Sequence, residues 1–164
     1  MRKSSAKKRP LLPDPRFNDQ MVTRFINNMM LSGKKELAQR VFYNAIDIVD
    51  QKSEEESGIE VFRKALNNVM PSVEVKARRV GGSTFQIPIE VHPERKIALG
   101  MKWMIRYARS RNEKSMAEKL APEVLAASKN EGSSVKKKED MHKTIISTDI
   151  IAIERHLFVY FCSE

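Results

Sequence analysis

Apolar residues recur at helical spacing through most of the first half of the chain. Val22, Phe25, Ile26, Met29 and Met30 form one stripe, with Asp19 placed to cap the helix and Gly33 to stop it. Lys34 and Lys35 open a second helix that turns Leu37, Ala38, Val41, Phe42, Ala45, Ile48 and Val49 inward. A charged link over 51–58 follows. A third helix then carries Phe62, Ala65, Leu66 and Val69, and Pro71 ends it. The simplest reading of these stripes is core.

The period then changes from helical to two. Val73, Val75 and Ala77 alternate with Glu74, Lys76 and Arg78; Phe85, Ile87, Ile89 and Val91 alternate with Thr84, Gln86, Pro88 and Glu90. This predicts a β-hairpin over 73–91 with one apolar face, reversed at Gly81 and Gly82, which supply the positive φ of a tight turn. Pro88 cannot donate to a ladder, so its strand is expected at an edge or on a free arm.

Helical spacing returns after Pro93, which suits a first turn. At 100° per residue, Arg95, Lys102, Arg106 and Arg109 fall within about 60° of one another. Ile97, Met101, Met104, Ile105 and Ala108 form a separate, core-facing stripe. Trp103 lies on neither stripe, beside Lys96, where it can pack or stack on a base. Ser115 and Glu118 predict a capping box for a fifth helix with Leu120, Ala121, Val124 and Leu125 inside. Pro122 is expected to kink that helix or delay its start, and Gly132 to end it. Ser133 or Ser134 would cap a sixth helix. Lys136, Lys137 and Lys138 lie near its start, where positive charge is unfavourable and an external anion would compensate. From Thr144 to Glu164 the chain becomes rich in β-branched and aromatic residues and reads as a strand or an apolar helix. Its FVYF run would be an aggregation liability if exposed.

The predicted fold is therefore mostly α: a bundle of about six helices with a protruding β-hairpin and a basic N-terminal arm. The chain divides into an arm over 1–16, a helical domain over 17–143 and an atypical tail over 144–164.

Charge sharpens this picture. The net charge of +9 is concentrated as +5 over residues 1–16 and +6 over 73–119, while 17–72 and 120–164 carry −1 each. Localised positive charge favours a polyanion, nucleic acid first and an anionic membrane surface second. The arm, with Arg2, Lys3, Lys7, Lys8 and Arg9 before a proline-punctuated stretch, would order against phosphate rather than fold alone. The single cysteine, Cys162, leaves no internal disulfide framework and no cysteine-based zinc site, which fits a reducing compartment. The basic N-terminus is followed by no apolar secretory core, and no apolar run reaches the length of a membrane span.

Catalytic signatures are missing. There is no glycine-rich phosphate loop, metal-ligand spacing or nucleophile motif, and His92, His142 and His156 are scattered. Glu54, Glu55 and Glu56 read as a solvated acidic run. No catalytic residue, metal, cofactor or small-molecule substrate is expected. From the residues alone, the rival to an RNA-binding structural protein is a DNA-bending architectural protein with a β-arm; an enzyme acting on nucleic acid is the weaker third.

Specific motifs add to this. MRKxxxKKRxxLPDPxFxD at the start, SGKK at 32–35, ALNNVMPxVEVKARRVGG at 65–82, FQIPIEVHPERK at 85–96, RSRNEKSMAEKLAPEVLAA at 109–127 and VKKKEDMHK at 135–143 strongly resemble small-subunit ribosomal protein seven of bacteria and organelles. The resemblance covers about residues 1–143. It implies a non-catalytic, mostly helical protein that binds the 3′ major domain of small-subunit rRNA and helps nucleate assembly of the subunit head. It further implies a hairpin close to exit-site tRNA and the mRNA exit path, neighbouring head and platform proteins as partners, no membrane partner, and a place on a cytoplasmic bacterial ribosome or an organellar one. Carried over by position, the rRNA surface includes Arg2, Lys3, Lys7, Lys8, Arg9, Lys34, Lys35, Arg95, Lys102, Trp103, Arg106, Arg109, Arg111, Lys114, Lys136, Lys137, Lys138 and His142. The hairpin residues near tRNA and mRNA are Lys76, Arg78, Arg79, Gly81 and Gly82. Two features depart from the family: Pro122, at a position that suits an uninterrupted helix, and the tail from Thr144, where the family continues as a short helix.

Overall fold

The computed structural model describes residues 9–53, 57–80 and 83–144. Helix α1 (Gln20–Met29) is capped by Asp19, whose side chain accepts the Met21 N–H at 2.8 Å. The helix stops at Met29, short of the expected glycine; Ser32 and Gly33 instead take consecutive left-handed conformations, φ 52° and 75°, in the turn that follows. Helix α2 (Lys35–Lys52) and helix α3 (Gly58–Val69) pack beside it. Phe25, Phe42 and Phe62, one from each helix, meet in a three-way cluster with ring centroids 5.0–5.5 Å apart. Such tilted and edge-on contacts suit the ring quadrupoles. In α2 the buried stripe includes Ile46, while Ile48 is only half-buried and Leu37, expected inside, is exposed. Leu37 lies in the first turn of α2, where Ala38 rather than Leu37 faces the bundle.

Gly58 carries a packing requirement. Its N–H donates to the Asp50 carboxylate, and an added Cβ would lie 2.7 Å from Asp50 Oδ1 and 3.0 Å from the Ile46 carbonyl. Asp50 thus supplies the side-chain acceptor at the start of α3 that Ser57 does not.

Helix α4 (Pro93–Arg109) and helix α5 (Met116–Ser128) complete the bundle centre. Helix α5 packs against α2, α3 and α4. Its buried alanines, Ala117, Ala121 and Ala127, let three neighbours approach closely. The Ser115–Glu118 capping box forms as expected. The helix does not start late because of Pro122, which lies inside its span. Pro122 removes the donor that would reach the Glu118 carbonyl, and Glu118 is exposed, so water can satisfy that oxygen. The helix ends at Ser128, before Gly132, with Asn130 (φ 60°) and Gly132 (φ 97°) in the connecting turn. A last helix, α6, starts at 133 and continues to the end of the described chain at 144.

The hairpin pairs β1 (Val73–Val80) with β2 (Ser83–Glu90) antiparallel. Its backbone packs on none of α1–α5, so the ribbon protrudes, held at its base by Val91 N–H donating to the Ser72 carbonyl. The expected single apolar face does not form. A two-residue connection pairs Val80 with Ser83, so every couple joins an odd-numbered to an even-numbered residue, as in Val75 with Pro88 and Lys76 with Ile87. Paired residues share a face. Because the apolar residues of both strands are odd-numbered, they fall on opposite faces, and each face carries one apolar and one polar row. Ile87 and Ile89 stay 37% and 46% exposed.

Candidate nucleic-acid interface

The cations singled out by sequence fall into two structural groups. The first faces outward. Lys34 and Lys35 stand at the start of α2, Lys102 and Arg106 on the outer face of α4, and Lys114 in the loop before α5, all exposed. Arg9 is exposed at the beginning of the described chain and Lys136 on α6. On β1, Lys76, Arg78 and Arg79 are exposed; the register sets Lys76 and Arg78 on one face and Arg79 on the other.

The second group is tied to the protein. Arg95 donates from Nε and Nη2 to the two oxygens of Glu74 at 2.6 and 2.5 Å, fastening the hairpin base to α4. That pairing holds the Glu74 carboxyl below its ordinary range despite partial burial, and raises the Arg95 guanidinium. Arg109 Nη2 donates to the Met29 carbonyl, at the end of α1, at 3.0 Å. Lys138 Nζ donates to the Asn68 carbonyl at 2.8 Å. Lys137 is half-buried, as is His142, whose Nε2 lies 3.4 Å from Ser72 Oγ. Trp103 is partly buried against the core.

Arg111 is held most firmly. It reaches Glu113 and Glu123 at 3.0 Å each. Burial works against its charge, but the two carboxylates raise its pKa above the ordinary value. Glu113 is lowered by its own backbone N–H and by Arg111. Glu123 was missed in the sequence. It is fully buried in α5, and its second oxygen accepts from both the backbone N–H and the hydroxyl of Ser134. The signal was its place on the apolar stripe, three residues after Leu120 and four before Ala127. It also corrects an expectation about α6: Lys136 N–H donates to the Gly132 carbonyl, so Gly132 occupies the cap position. An internal carboxylate, Glu123, stands at that helix start.

Asp14 was likewise missed. It is 3% exposed and accepts the Tyr43 hydroxyl at 2.9 Å along with the Arg16 and Phe17 N–H groups. Burial and that hydrogen bond push the Tyr43 phenol up to about 12. Arg16 pairs with Asp47 at 2.7 Å and covers the Phe17 and Tyr43 rings. The stretch that follows the basic residues of the arm is therefore docked on α2.

One further surface escaped the sequence. Leu31 and Leu37, 63% and 56% exposed, line an open groove with Met29, Val41 and Met116, bordered by Lys34 and Arg109. Among the described residues no group of His, Cys, Asp and Glu could hold a metal ion, and no helix is long and apolar enough to cross a membrane. Arg2, Lys3, Lys7, Lys8, Gly81, Gly82, the run over 54–56 and the tail from 145 lie outside the described residues.

The profile of the family described as Ribosomal protein S7p/S5e matches residues 1–147. The small ribosomal subunit protein uS7 of Flavobacterium psychrophilum is 64% identical over 145 residues, covering 87% of this chain and 92% of the relative. Proteins of the same name from Cytophaga hutchinsonii and Gemmatimonas aurantiaca are 61% and 57% identical over 143 and 142 residues, covering 87% of this chain and 92% and 90% of themselves.

Proposed function

The chain belongs to the ribosomal protein S7p/S5e family, a structural and non-enzymatic constituent of the small ribosomal subunit, and on that premise we propose how it holds the subunit's RNA. It binds the 3′ major domain of small-subunit rRNA directly and helps nucleate the head. The hairpin reaches toward exit-site tRNA and the mRNA exit path, and neighbouring head and platform proteins complete its contacts. The seat of action is the ribosome of a bacterial cytoplasm.

The observation that carries this reading is the spread of exposed cations over separate elements: Lys34 and Lys35 on α2, Lys102 and Arg106 on α4, Lys114 in the following loop, and Lys76, Arg78 and Arg79 on a ribbon that protrudes from the bundle. Each exposed cation can neutralise a phosphate and release a counterion. The tied cations act differently. Arg95, Arg109, Arg111 and Lys138 each spend part of their donor set on the protein, which fixes the rest for recognition of RNA shape rather than of a linear base code.

A titration against folded rRNA tests this, with duplex DNA of equal charge as comparison. Affinity should fall by roughly 0.7–0.9 log units per contact per log unit of salt. Deleting residues 1–10 should weaken binding and flatten that slope. An unchanged slope would remove the arm from the interface, and equal binding to the duplex would remove rRNA recognition altogether.

A further inference from the structure

We infer that the groove between the end of α1 and the starts of α2 and α5 is a socket for one unstacked nucleobase of the bound RNA. The inference rests on the rRNA reading above and deepens it, adding a contact that charge alone does not supply.

A scattered exposed leucine needs no explanation, but a contiguous apolar surface does. Here Leu31 and Leu37 are both more than half exposed, and Met29, Val41 and Met116 extend their surface into a groove. Among the described residues the lining includes Lys34 and Arg109 and no acidic residue. Lys34 N–H donates to the Leu31 carbonyl at 3.0 Å, which keeps the leucine and the lysine side by side. Arg109 has one guanidinium nitrogen on the Met29 carbonyl, so its plane is held at the border of the groove.

Apolar walls and a cationic border select the occupant. A base extruded from a single-stranded loop presents two flat apolar faces flanked by phosphates. Its faces meet the leucine and methionine side chains, and the guanidinium plane offers stacking. The adjoining phosphates meet Lys34 and Lys35, both exposed at the start of α2. An apolar peptide segment would satisfy the walls and leave those cations without counter-charge.

The test uses the full chain, its Leu31→Ser/Leu37→Ser variant, and an RNA fragment of the 3′ major domain carrying a single abasic nucleotide at each position of the footprint in turn. Base stacking of ordinary strength predicts about tenfold weaker binding by the variant at fixed salt. The slope of affinity against salt should not change, because no charge is removed. One abasic position should weaken the unaltered protein by a similar factor and leave the variant unaffected. Leu31→Lys gives a second readout if the double variant loses its fold: sensitivity to that abasic position should vanish although charge is gained.

Binding by the variant equal to that of the unaltered protein would overturn the socket. So would abasic penalties that are the same for both proteins. Normal binding of the variant to naked RNA, with altered association of head proteins, would assign the groove to a protein neighbour instead. If the unaltered protein shows no salt-dependent binding to the fragment, the rRNA reading falls first and the socket with it.

Discussion

Glu123 in α5 takes two hydrogen bonds from one residue of α6: Ser134 gives its backbone N–H at 3.1 Å and its hydroxyl at 2.7 Å to the same carboxylate oxygen. The other oxygen receives Arg111 at 3.0 Å. One buried side chain therefore joins a helix start to a cationic loop. Removing the carboxylate leaves the buried Ser134 N–H and hydroxyl without their acceptor, while Arg111 keeps Glu113. Glu123→Ala should cost about 1–3 kcal/mol in urea unfolding. Glu123→Gln, which keeps one acceptor, should cost less. Hydrogen exchange in the alanine variant should rise first over 133–144.

Tyr43 offers a test at high pH. Its folded pKa, about 12, lies above the ordinary phenol value. A group whose folded pKa is raised contributes stability in full below its unfolded pKa of about 10 and loses it as pH climbs through the folded value. Stability should therefore decline between about pH 10 and 12, ahead of the Tyr43 phenolate absorbance of the folded protein. Tyr43→Phe should remove this step.

The hairpin cations project from the bundle, so they contribute little to its packing. Replacing Lys76, Arg78 and Arg79 together by alanine should change unfolding free energy by no more than about 1 kcal/mol, as exposed substitutions rarely cost more. Affinity for rRNA, or occupancy of exit-site tRNA on assembled subunits, should fall. Global unfolding of this variant would contradict the protruding ribbon.

Among the described residues, every buried core side chain of the bundle lies between Val22 and Val135. Truncation after Lys143 should leave the far-ultraviolet circular dichroism of the bundle and primary rRNA binding intact while changing contacts with head neighbours. A truncated chain without helical signal would place the tail in the core.

The helices were legible because their buried residues recur at the helical period, and Asp19, Pro93 and the Ser115–Glu118 pair mark starts with local chemistry. What stayed hidden depends on partners distant in sequence. Glu123 is an ordinary acidic residue until α6 folds over it, and Asp14 until Tyr43 arrives from α2. Leu37 obeys the helical period, yet Ala38 in the same turn takes the bundle-facing place and leaves Leu37 at the open groove. The exposed cations were readable from composition, whereas the tethering of Arg95, Arg109 and Arg111 was not, since pattern cannot tell which cations spend donors internally. Ribbon facing failed for a different reason: each strand alternates correctly alone, and only the pairing decides how the two alternations combine.

That combination has a consequence for how the ribbon tolerates change. Facing is a matter of parity, set by the number of residues in the turn. Deleting either Gly81 or Gly82, with the pairing shifted by one, would bring odd opposite odd, uniting Val73, Val75, Ile87 and Ile89 on one side, with Arg79 at its end, and leaving Lys76 and Arg78 with glutamine and glutamate on the other. The product would be a surfactant: a greasy sheet with a charged back, prone to self-association or to coating lipid. The native turn length keeps hydrocarbon and charge interleaved on both sides, so a bare ribbon can stand in water while it waits for its polyanion.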